Sequence, residues 1–363
     1  MSSTSRRDFL KRASRLTAGA FAAGAFIGCA KGKPAEPPPT AGPAKGGPPP
    51  ADAAAKTGGP DLVVVKGGST SAEVVRRALE LLGGMAAFVS AGKSVCIKPN
   101  ASWDRVPGSG GNVHPDVLSE VIRACKDAGA REVIALDYTL ATAPLEFNGL
   151  RDGAQKAGAK FIELTKDDAG LFDEVEFVEG LKALPGIGPK ERVATDLLNA
   201  DVVINMPVLK THSATGLSLS LKNLMGVIYD RTRYHGGGSG QGLSVATRRS
   251  QILDQAIADL GLLLKDRISL TIVDATYIMR SSDGPRGLDE EDGEPMMSMV
   301  AGRDMVACDT KAAMLFGMDE QEIMAKVPHI PLAEAIGVGT MKLAALNVKE
   351  SNLGGAEKMT APS

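Results

Sequence analysis

The chain has 363 residues, of which 44% are hydrophobic and 23% are charged, and its formal net charge at pH 7 is −2. This composition supplies a sizeable core for one large or two small domains, and it excludes the strongly basic balance of a nucleic-acid-binding protein. Aromatic residues make up only 4% of the chain, which excludes a surface of stacked aromatic side chains for bases or sugars.

The first 29 residues have the features of an export signal. Residues 5–11, SRRDFLK, closely match the twin-arginine motif, and a weakly apolar stretch over residues 16–28 is too short to span a bilayer as a mature helix. Residues 26–29, FIGC, resemble a lipobox, in which the cysteine is lipidated after cleavage. We therefore predict export by the twin-arginine translocase and a periplasmic protein held on a membrane by a lipid on Cys29. The alternatives are a basic amphipathic start of a cytoplasmic protein and an exported protein cleaved nearby without lipidation.

Composition divides the rest of the chain into three regions. Residues 30–60 are rich in Pro, Ala, Gly and Lys, and they are predicted to form a disordered, semi-rigid tether of polyproline II character because they cannot bury a core. A single folded domain is predicted over residues 61–350, with insertions at residues 139–150, 170–195 and 228–247. Residues 351–363 are predicted to be a flexible tail.

The hydrophobic pattern of the folded domain alternates between strands and helices. Short apolar runs rich in β-branched residues predict strands over residues 62–65, 94–97, 132–136, 160–164, 201–206, 268–273, 296–301 and 343–348. Apolar residues at helical spacing predict helices over residues 71–82, 114–128, 149–157, 248–264, 304–316, 320–326 and 331–336. This alternation predicts an α/β fold, in which a mostly parallel sheet has helices on both faces and carries loop or β insertions.

Polar side chains follow the predicted carboxyl ends of several strands, which is where open parallel sheets bind ligands. These side chains are Lys98, Asn100, Asp137, Lys210, His212 and Asp274. A second polar pair, Lys222 and Asn223, follows inside an apolar segment. Such residues are an unusual choice for a core, so we predict that they form a ligand-binding site.

The lysines of this set indicate an anionic ligand. The ammonium groups of Lys98, Lys210 and Lys222 would hold a phosphate or a carboxylate, and a desolvated lysine can shift its pKa and act as a base. We therefore predict that Lys210 and His212 are catalytic. The alternatives are three separate surface salt bridges and a histidine that is simply hydrogen-bonded. Arg286, in a predicted turn, is a further candidate for the ligand, against the alternative of a solvated arginine.

A divalent metal is the cofactor that the acidic residues suggest. Asp274 and Asp309, together with His212, are the candidate metal ligands, because carboxylate oxygens suit Mg²⁺ or Ca²⁺. The alternatives are turn formation by Asp137 or Asp274 and a helix N-cap at Asp304. The sequence does not identify the cofactor further.

The four cysteines do not form the pattern of a metal cluster. With Cys29 lipidated, three remain, and no CxxC motif occurs. Cys96 and Cys125 lie in apolar contexts that are typical of small core residues. No iron–sulfur cluster is therefore expected within this chain.

Five segments, taken together, resemble a known family. They are residues 98–100 (KPN) after a strand, 205–212 (NMPVLKTH), 221–226 (LKNLMG), 274–275 (DA) and 304–309 (DMVACD). Over residues 61–349 the chain therefore resembles the family called domain of unknown function 362. The resemblance implies an α/β fold and little settled biochemistry. Some members look like fusions with ferredoxin-type iron–sulfur modules, whose cysteine pattern is absent here.

Three functions are consistent with these observations. The first is an exported, membrane-tethered enzyme for a small anionic metabolite, in which the lysines bind the anion, His212 moves a proton, and Asp274 and Asp309 orient these groups or hold a divalent ion. The second is a lipoprotein that binds an anion or a metal without chemistry. The third is a redox-accessory protein that docks on a separate iron–sulfur partner. Twin-arginine export carries folded and often cofactor-loaded cargo, which favours the first and third.

Overall fold

The structure, a computed structural model, describes residues 59–140, 148–176, 190–231, 234, 245–281 and 293–354. The predicted export signal with Cys29, the linker up to residue 58 and Arg286 lie outside the described residues. Within the described ranges, no helix is both long enough and apolar enough to cross a membrane.

The described residues form a ten-stranded sheet and a separate two-stranded ribbon, β5–β6. In chain order the strands are β1 (Leu62–Lys66), β2 (Ser94–Pro99), β3 (Glu132–Tyr138), β4 (Lys160–Leu164), β5 (Phe172–Glu176), β6 (Lys190–Ala194), β7 (Val202–Met206), β8 (Val208–His212), β9 (Gly216–Ser218), β10 (Ile268–Met279), β11 (Gly293–Gly302) and β12 (Val348–Asn352). The ribbon falls within the predicted insertion 170–195, which is therefore partly β structure.

The sheet is mostly parallel. Its strand order is β12-β1-β11-β10-β7-β2-β3-β4, and β8 pairs with both β10 and β9. The run from β10 through β7, β2 and β3 to β4 is parallel throughout, whereas β11 is antiparallel to both of its neighbours. The predicted α/β fold with a mostly parallel sheet is confirmed.

Helices cover both faces of the sheet. In chain order they are α1 (Ser71–Leu81), α2 (Pro115–Asp127), α3 (Leu150–Lys156), α4 (Thr195–Asn199), α5 (Ser220–Asn223), α6 (Val245–Leu264), α7 (Met305–Phe316), α8 (Glu320–Lys326) and α9 (His329–Ala335). Because strand side chains alternate between faces, Val63 and Val65 belong to one core and Leu62 and Val64 to the other. The first core includes residues of α1, α2 and α3, and the second includes residues of α5, α6, α7 and α9.

Strand β10 is longer than the sequence predicts. The apolar run predicts an end at Val273, but the strand continues to Met279. It continues because it pairs with β11 as far as Met279, with a register shift between Ala275 and Tyr277. The buried carboxylate of Asp274 accepts hydrogen bonds from the backbone N–H of His114 (2.8 Å) and, at this shift, from the N–H and hydroxyl of Thr276 (2.9 and 2.7 Å). The expectation that Asp274 follows a strand end is therefore wrong, since Asp274 lies inside β10.

The last strand also differs from the sequence expectation. The predicted strand 343–348 is instead a short 3₁₀ turn over Leu343–Ala345, and β12 follows over Val348–Asn352. β12 pairs with β1 at the edge of the sheet and carries exposed charged residues, Lys349 and Glu350. An edge strand of this kind has no apolar run to reveal it.

Asp304 connects the start of α7 to the segment after α9. Its Oδ1 accepts a hydrogen bond from the backbone N–H of Ala307 at 3.0 Å, as a helix N-cap, and its Oδ2 accepts one from the backbone N–H of Thr340 at 2.9 Å. We expect Asp304→Ala to lower the free energy of unfolding in urea titrations by about 1–2 kcal/mol, because both N–H groups lose their acceptor. Asp304→Asn keeps one carbonyl oxygen as an acceptor and should lower the free energy of unfolding less than Asp304→Ala does. An equal decrease in both variants would contradict the capping role.

Candidate functional site

The carboxyl ends of β3, β2 and β7 lie side by side and bring polar residues together. Asp137 lies near the end of β3, Lys98 lies near the end of β2, and Asn205 of β7 pairs in register with Lys98. Asn100 directly follows β2, and Lys210 lies on β8. All five side chains are buried, with exposed fractions of 7% or less. In the sequence, a polar residue directly after an apolar run indicates a position of this kind at the end of a strand.

Lys98 and Asp137 form a buried ion pair. Lys98 Nζ lies 2.8 Å from Asp137 Oδ1, and it also donates hydrogen bonds to the carbonyl of Pro99 at 2.8 Å and to Asn223 Oδ1 at 3.0 Å. Asp137 accepts two further hydrogen bonds from backbone N–H groups. Burial lowers the pKa of Lys98, and the Asp137 carboxylate opposes that shift. Three acceptors, of which the Asp137 carboxylate carries the opposite charge, therefore hold the Lys98 ammonium inside the fold.

The amide of Asn223 anchors α5 to the sheet. Its Nδ2 donates to the carbonyl of Lys98 at 3.0 Å and to Asn205 Oδ1 at 2.8 Å. Its Oδ1 accepts hydrogen bonds from Lys98 Nζ and from Asn100 Nδ2. Asn205 in turn donates to the carbonyl of Ser220, at the start of α5. The predicted pair Lys222 and Asn223 therefore differs in placement: Asn223 lies inside the hydrogen-bond network, whereas Lys222 is partly exposed.

The backbone after α5 packs directly against the ion pair. A Cβ added to Gly226 would overlap Asp137 Oδ1 and would come within 2.6 Å of Lys98 Cε. The glycine of the LKNLMG segment is therefore required by this close approach of the backbone, since any larger residue would displace the ion pair.

Lys210 has different surroundings from Lys98. Its Nζ donates hydrogen bonds to Asn100 Oδ1 at 3.1 Å and to the carbonyl of Gly111, and no carboxylate among the described residues lies within ion-pair distance. Burial and the nearby charge of Lys222 lower the pKa of Lys210 to about 7. Lys210 therefore releases its proton more easily than an ordinary lysine does.

Lys222 and Arg231 complete a cluster of four cations. Both side chains are partly exposed; the charge of Arg231 acts on Lys98, and the charge of Lys98 acts on Lys222. Burial and the charge of Arg231 lower the pKa of Lys222 to about 8. Asp137 is the carboxylate that acts on all four cations. These four side chains, Lys98, Lys210, Lys222 and Arg231, are called the cation cluster below.

Arg231 lies in the predicted insertion 228–247 and was not predicted as a site residue. The Arg231 guanidinium stacks 3.8 Å from the centre of the Tyr138 ring and donates a hydrogen bond to the Tyr138 carbonyl at 3.4 Å. The neighbouring Tyr234 hydroxyl donates to Glu191 Oε2 of β6 at 2.6 Å, which ties this segment to the ribbon. No motif marks Arg231, because it reaches the site only when the insertion folds back onto β3.

Asp309 holds the start of α5. Its Oδ1 accepts hydrogen bonds from the N–H of Ser220 at 2.8 Å and from the Ser220 hydroxyl at 2.5 Å, and its Oδ2 accepts one from the N–H of Leu221 at 3.0 Å. Burial raises the pKa of Asp309 to about 6 in spite of these donors. Asp309 thereby fixes α7 to α5, and through α5 it positions Asn223.

The three predicted metal ligands lie in separate places. Asp309 contacts α5, Asp274 contacts backbone within and beside β10, and His212 lies at the partly exposed end of β8, where its Nδ1 accepts a hydrogen bond from the N–H of Ala214 at 3.2 Å. Over the part of the chain that the structure describes, no group of three or more His, Cys, Asp or Glu side chains is placed to hold a metal ion. A divalent metal at these residues stays a prediction from the sequence.

Asp309 gives the stability of the fold a pH dependence. Its pKa is about 6 in the folded protein against a usual value of 3.8, so the unfolded chain releases this proton first as pH rises. The Asp309 contribution to stability is therefore complete below pH 3.8 and is lost as pH rises to about 6. We expect the unfolding free energy of the wild type, relative to Asp309→Asn, to fall by about 2–3 kcal/mol between about pH 4 and pH 7.

Urea titrations across this pH range measure the effect. The matched control is Asp152→Asn, which changes an exposed aspartate on α3 and should leave the pH profile of the wild type intact. A wild-type advantage over Asp309→Asn that stays constant with pH would contradict the assignment.

The fold and the site define an α/β protein with a cationic, amide-lined cluster at the carboxyl edge of a mostly parallel sheet. A model of the family described as Domain of unknown function (DUF362) matches residues 95–314, which is more than half of the chain, and the chain therefore belongs to this family. The matched range includes every member of the cation cluster. The resemblance seen in the sequence motifs is confirmed.

One curated relative and two solved structures are similar to parts of the chain. The relative is a thylakoid-associated protein of Synechocystis sp., which is 30% identical over 160 residues that cover 42% of this chain and 45% of the relative. One structure is the lactate racemase apoprotein from Thermoanaerobacterium thermosaccharolyticum, with 14% identity, a TM-score of 0.42 and coverage of 70% of this chain and 56% of that chain. The other is a Thermotoga maritima protein, with 13% identity, a TM-score of 0.42 and coverage of 68% and 58%. The chain thus spans about half the length of each of these proteins.

Proposed function

We propose that this protein binds a small anionic metabolite at the cation cluster and acts on it by proton transfer at Lys210. The observation that carries the proposal is that, among the described residues, four cationic side chains lie close enough to the carboxylate of Asp137 to be influenced by its charge. Holding like charges together in a partly dehydrated place costs free energy, and an anionic ligand would offset that cost. The substrate class is therefore a small carboxylate or phosphate compound.

The four cations divide into two kinds by their surroundings. The charge of Lys98 is neutralised by Asp137 inside the fold. Lys98 therefore holds the neighbouring residues of the site in place more than it attracts the ligand. Lys222 and Arg231 are partly exposed and are the groups that would meet an anion arriving from solvent. The planar guanidinium of Arg231 suits two-point binding of a carboxylate or a phosphate.

Lys210 supports a catalytic function over simple binding. Its pKa of about 7 lets it accept or release a proton near neutral pH, which suits a general base. His212 remains the second predicted catalytic residue, and the hydrogen bonds that join Lys98, Asn100, Lys210 and Asn223 do not pass through it. Binding without turnover would instead favour the non-catalytic lipoprotein, and an iron–sulfur protein recovered as a stable partner would favour the redox-accessory function.

The binding proposal predicts specific losses. Lys222→Ala and Arg231→Ala should each weaken the binding of anions by roughly tenfold or more, because each removes a cation that would contact the ligand. The probes are inorganic phosphate, citrate, pyruvate and 2-oxoglutarate, and the measurement is isothermal titration calorimetry on the purified protein. The matched control is Lys156→Ala, which removes an exposed lysine paired with Asp152 on α3 and should bind like the wild type.

The anion affinity measured in these titrations should depend on pH. An anion favours the charged form of Lys210 and Lys222, so binding near pH 9 requires proton uptake, and affinity should fall as pH rises above about 7. Buffers with different ionisation enthalpies report that uptake. The proposal would be contradicted if none of the four probes binds, or if affinity is independent of pH and of both substitutions.

Export and anchoring rest on the sequence of residues 1–29. We propose that the twin-arginine translocase exports the protein and that a lipid on Cys29 holds it on the periplasmic side of a membrane. Cys29→Ser should move the protein from the membrane fraction to the soluble fraction after cell lysis, because only the lipid would attach it. Arg6→Lys with Arg7→Lys is the companion variant and should block export itself. Retention of the Cys29→Ser protein in the membrane fraction would show that the lipobox interpretation is wrong.

A further inference from the structure

The Arg231 guanidinium contacts both the ring and the backbone of Tyr138, the last residue of β3. Its central carbon lies 3.8 Å from the centre of the Tyr138 ring, and one of its N–H groups donates a hydrogen bond to the Tyr138 carbonyl at 3.4 Å. Tyr138 directly follows Asp137, the carboxylate of the buried ion pair. The strand that supplies the negative charge of the site therefore also supplies the surface on which Arg231 lies.

The ring attracts the guanidinium without neutralising it. A cation is attracted to the electron-rich face of an aromatic ring, although the ring carries no net charge. This attraction opposes the repulsion between Arg231 and the other cations, since the charge of Arg231 acts unfavourably on both Lys98 and Lys222. A carboxylate in the place of the ring would also attract Arg231, but it would repel an anionic ligand. An aromatic ring therefore suits an arginine whose charge is used for binding.

Lys166, which follows β4, fixes both the Tyr138 ring and the segment that carries Arg231. The backbone N–H of Lys166 donates a hydrogen bond to the Tyr138 hydroxyl at 3.2 Å. Lys166 Nζ lies 2.6 Å from Oδ1 of Asp230, the residue before Arg231. The Tyr229 hydroxyl donates to the Lys166 carbonyl at 3.3 Å. These contacts hold the segment before Arg231 close to the end of β3, so the stacked arrangement is supported from both sides.

We propose that Tyr138 is a positioning residue of the anion site, because its ring keeps the Arg231 guanidinium inside the cation cluster. This inference rests on the proposed function, in which Arg231 binds the anion, and it adds a residue that acts through Arg231. The hydroxyl of Tyr138 contacts Lys166, whereas the ring contacts Arg231. Substitutions that remove the hydroxyl or the whole ring separate these two contributions.

Isothermal titration calorimetry on the purified full-length protein tests this inference, with phosphate, citrate, pyruvate and 2-oxoglutarate as the probes. Tyr138→Leu should weaken anion binding by about three- to tenfold, because the guanidinium loses the ring on which it stacks. Tyr138→Phe keeps the ring and should bind within about twofold of the wild type. Tyr138 is half-buried at the end of its strand, so we expect both variants to fold, and circular dichroism verifies this.

A double-mutant cycle shows whether Tyr138 acts through Arg231. In a protein that already carries Arg231→Ala, adding Tyr138→Leu should weaken binding by less than about twofold, because the ring then has no guanidinium to hold. The matched control is Phe88→Leu, which removes the ring on which Arg303, an arginine outside the cation cluster, stacks at 4.3 Å. This control variant should bind anions like the wild type.

The possible results distinguish this inference from the proposed function. The positioning role would be overturned if Tyr138→Leu weakens binding equally in the wild type and in the Arg231→Ala protein, or if Tyr138→Phe binds as weakly as Tyr138→Leu. If Tyr138→Leu does not fold, Tyr138→Met replaces it in the cycle. Binding that Arg231→Ala weakens and Tyr138→Leu leaves unchanged would overturn this inference alone. Failure of all four probes to bind the wild type would overturn the proposed function as well.

Discussion

The buried ion pair between Lys98 and Asp137 is the interaction on which the rest of the site depends. It joins the ends of β2 and β3 in the interior, where either charge without the other would destabilise the fold by several kcal/mol. Asn223 contacts the pair from one side, and the backbone at Gly226 contacts it so closely that no side chain fits. The ion pair therefore requires that α5 and the turn after it close over the strand ends as one unit.

From this pair a continuous polar layer runs between the sheet and the helices. The hydrogen bonds pass from Lys98 through Asn223 and Asn205 to Ser220, which in turn donates to Asp309 on α7. Neutral amides occupy the middle of the layer, so they link its donors and acceptors without adding further charge. Lys210 joins this layer through Asn100, and burial together with the nearby charges of Lys222 and Lys98 lowers its pKa.

The sequence predicted a good part of this arrangement. Lys98, Asp137 and Lys210 were identifiable because polar residues that follow apolar runs must gather at one edge of a parallel sheet. Asp274 and Asp309 could not be assigned in the same way, because a carboxylate that accepts backbone hydrogen bonds looks identical in sequence to one that binds a metal. Arg231 could not be predicted at all, since it reaches the site through the packing of an insertion against the ribbon β5–β6.

The sequence by itself determined the α/β class and the kinds of residue at the strand ends, because hydrophobic periodicity and strand length are local properties of the chain. The tertiary structure alone decided how the lysines differ. Lys98 has a carboxylate partner from β3, whereas the partners of Lys210 among the described residues are a neutral amide and a carbonyl. That difference comes from segments far apart in the chain that meet only in the folded protein. Burial and charge pairing set the pKa of a lysine through these long-range contacts, and no local sequence pattern predicts such contacts.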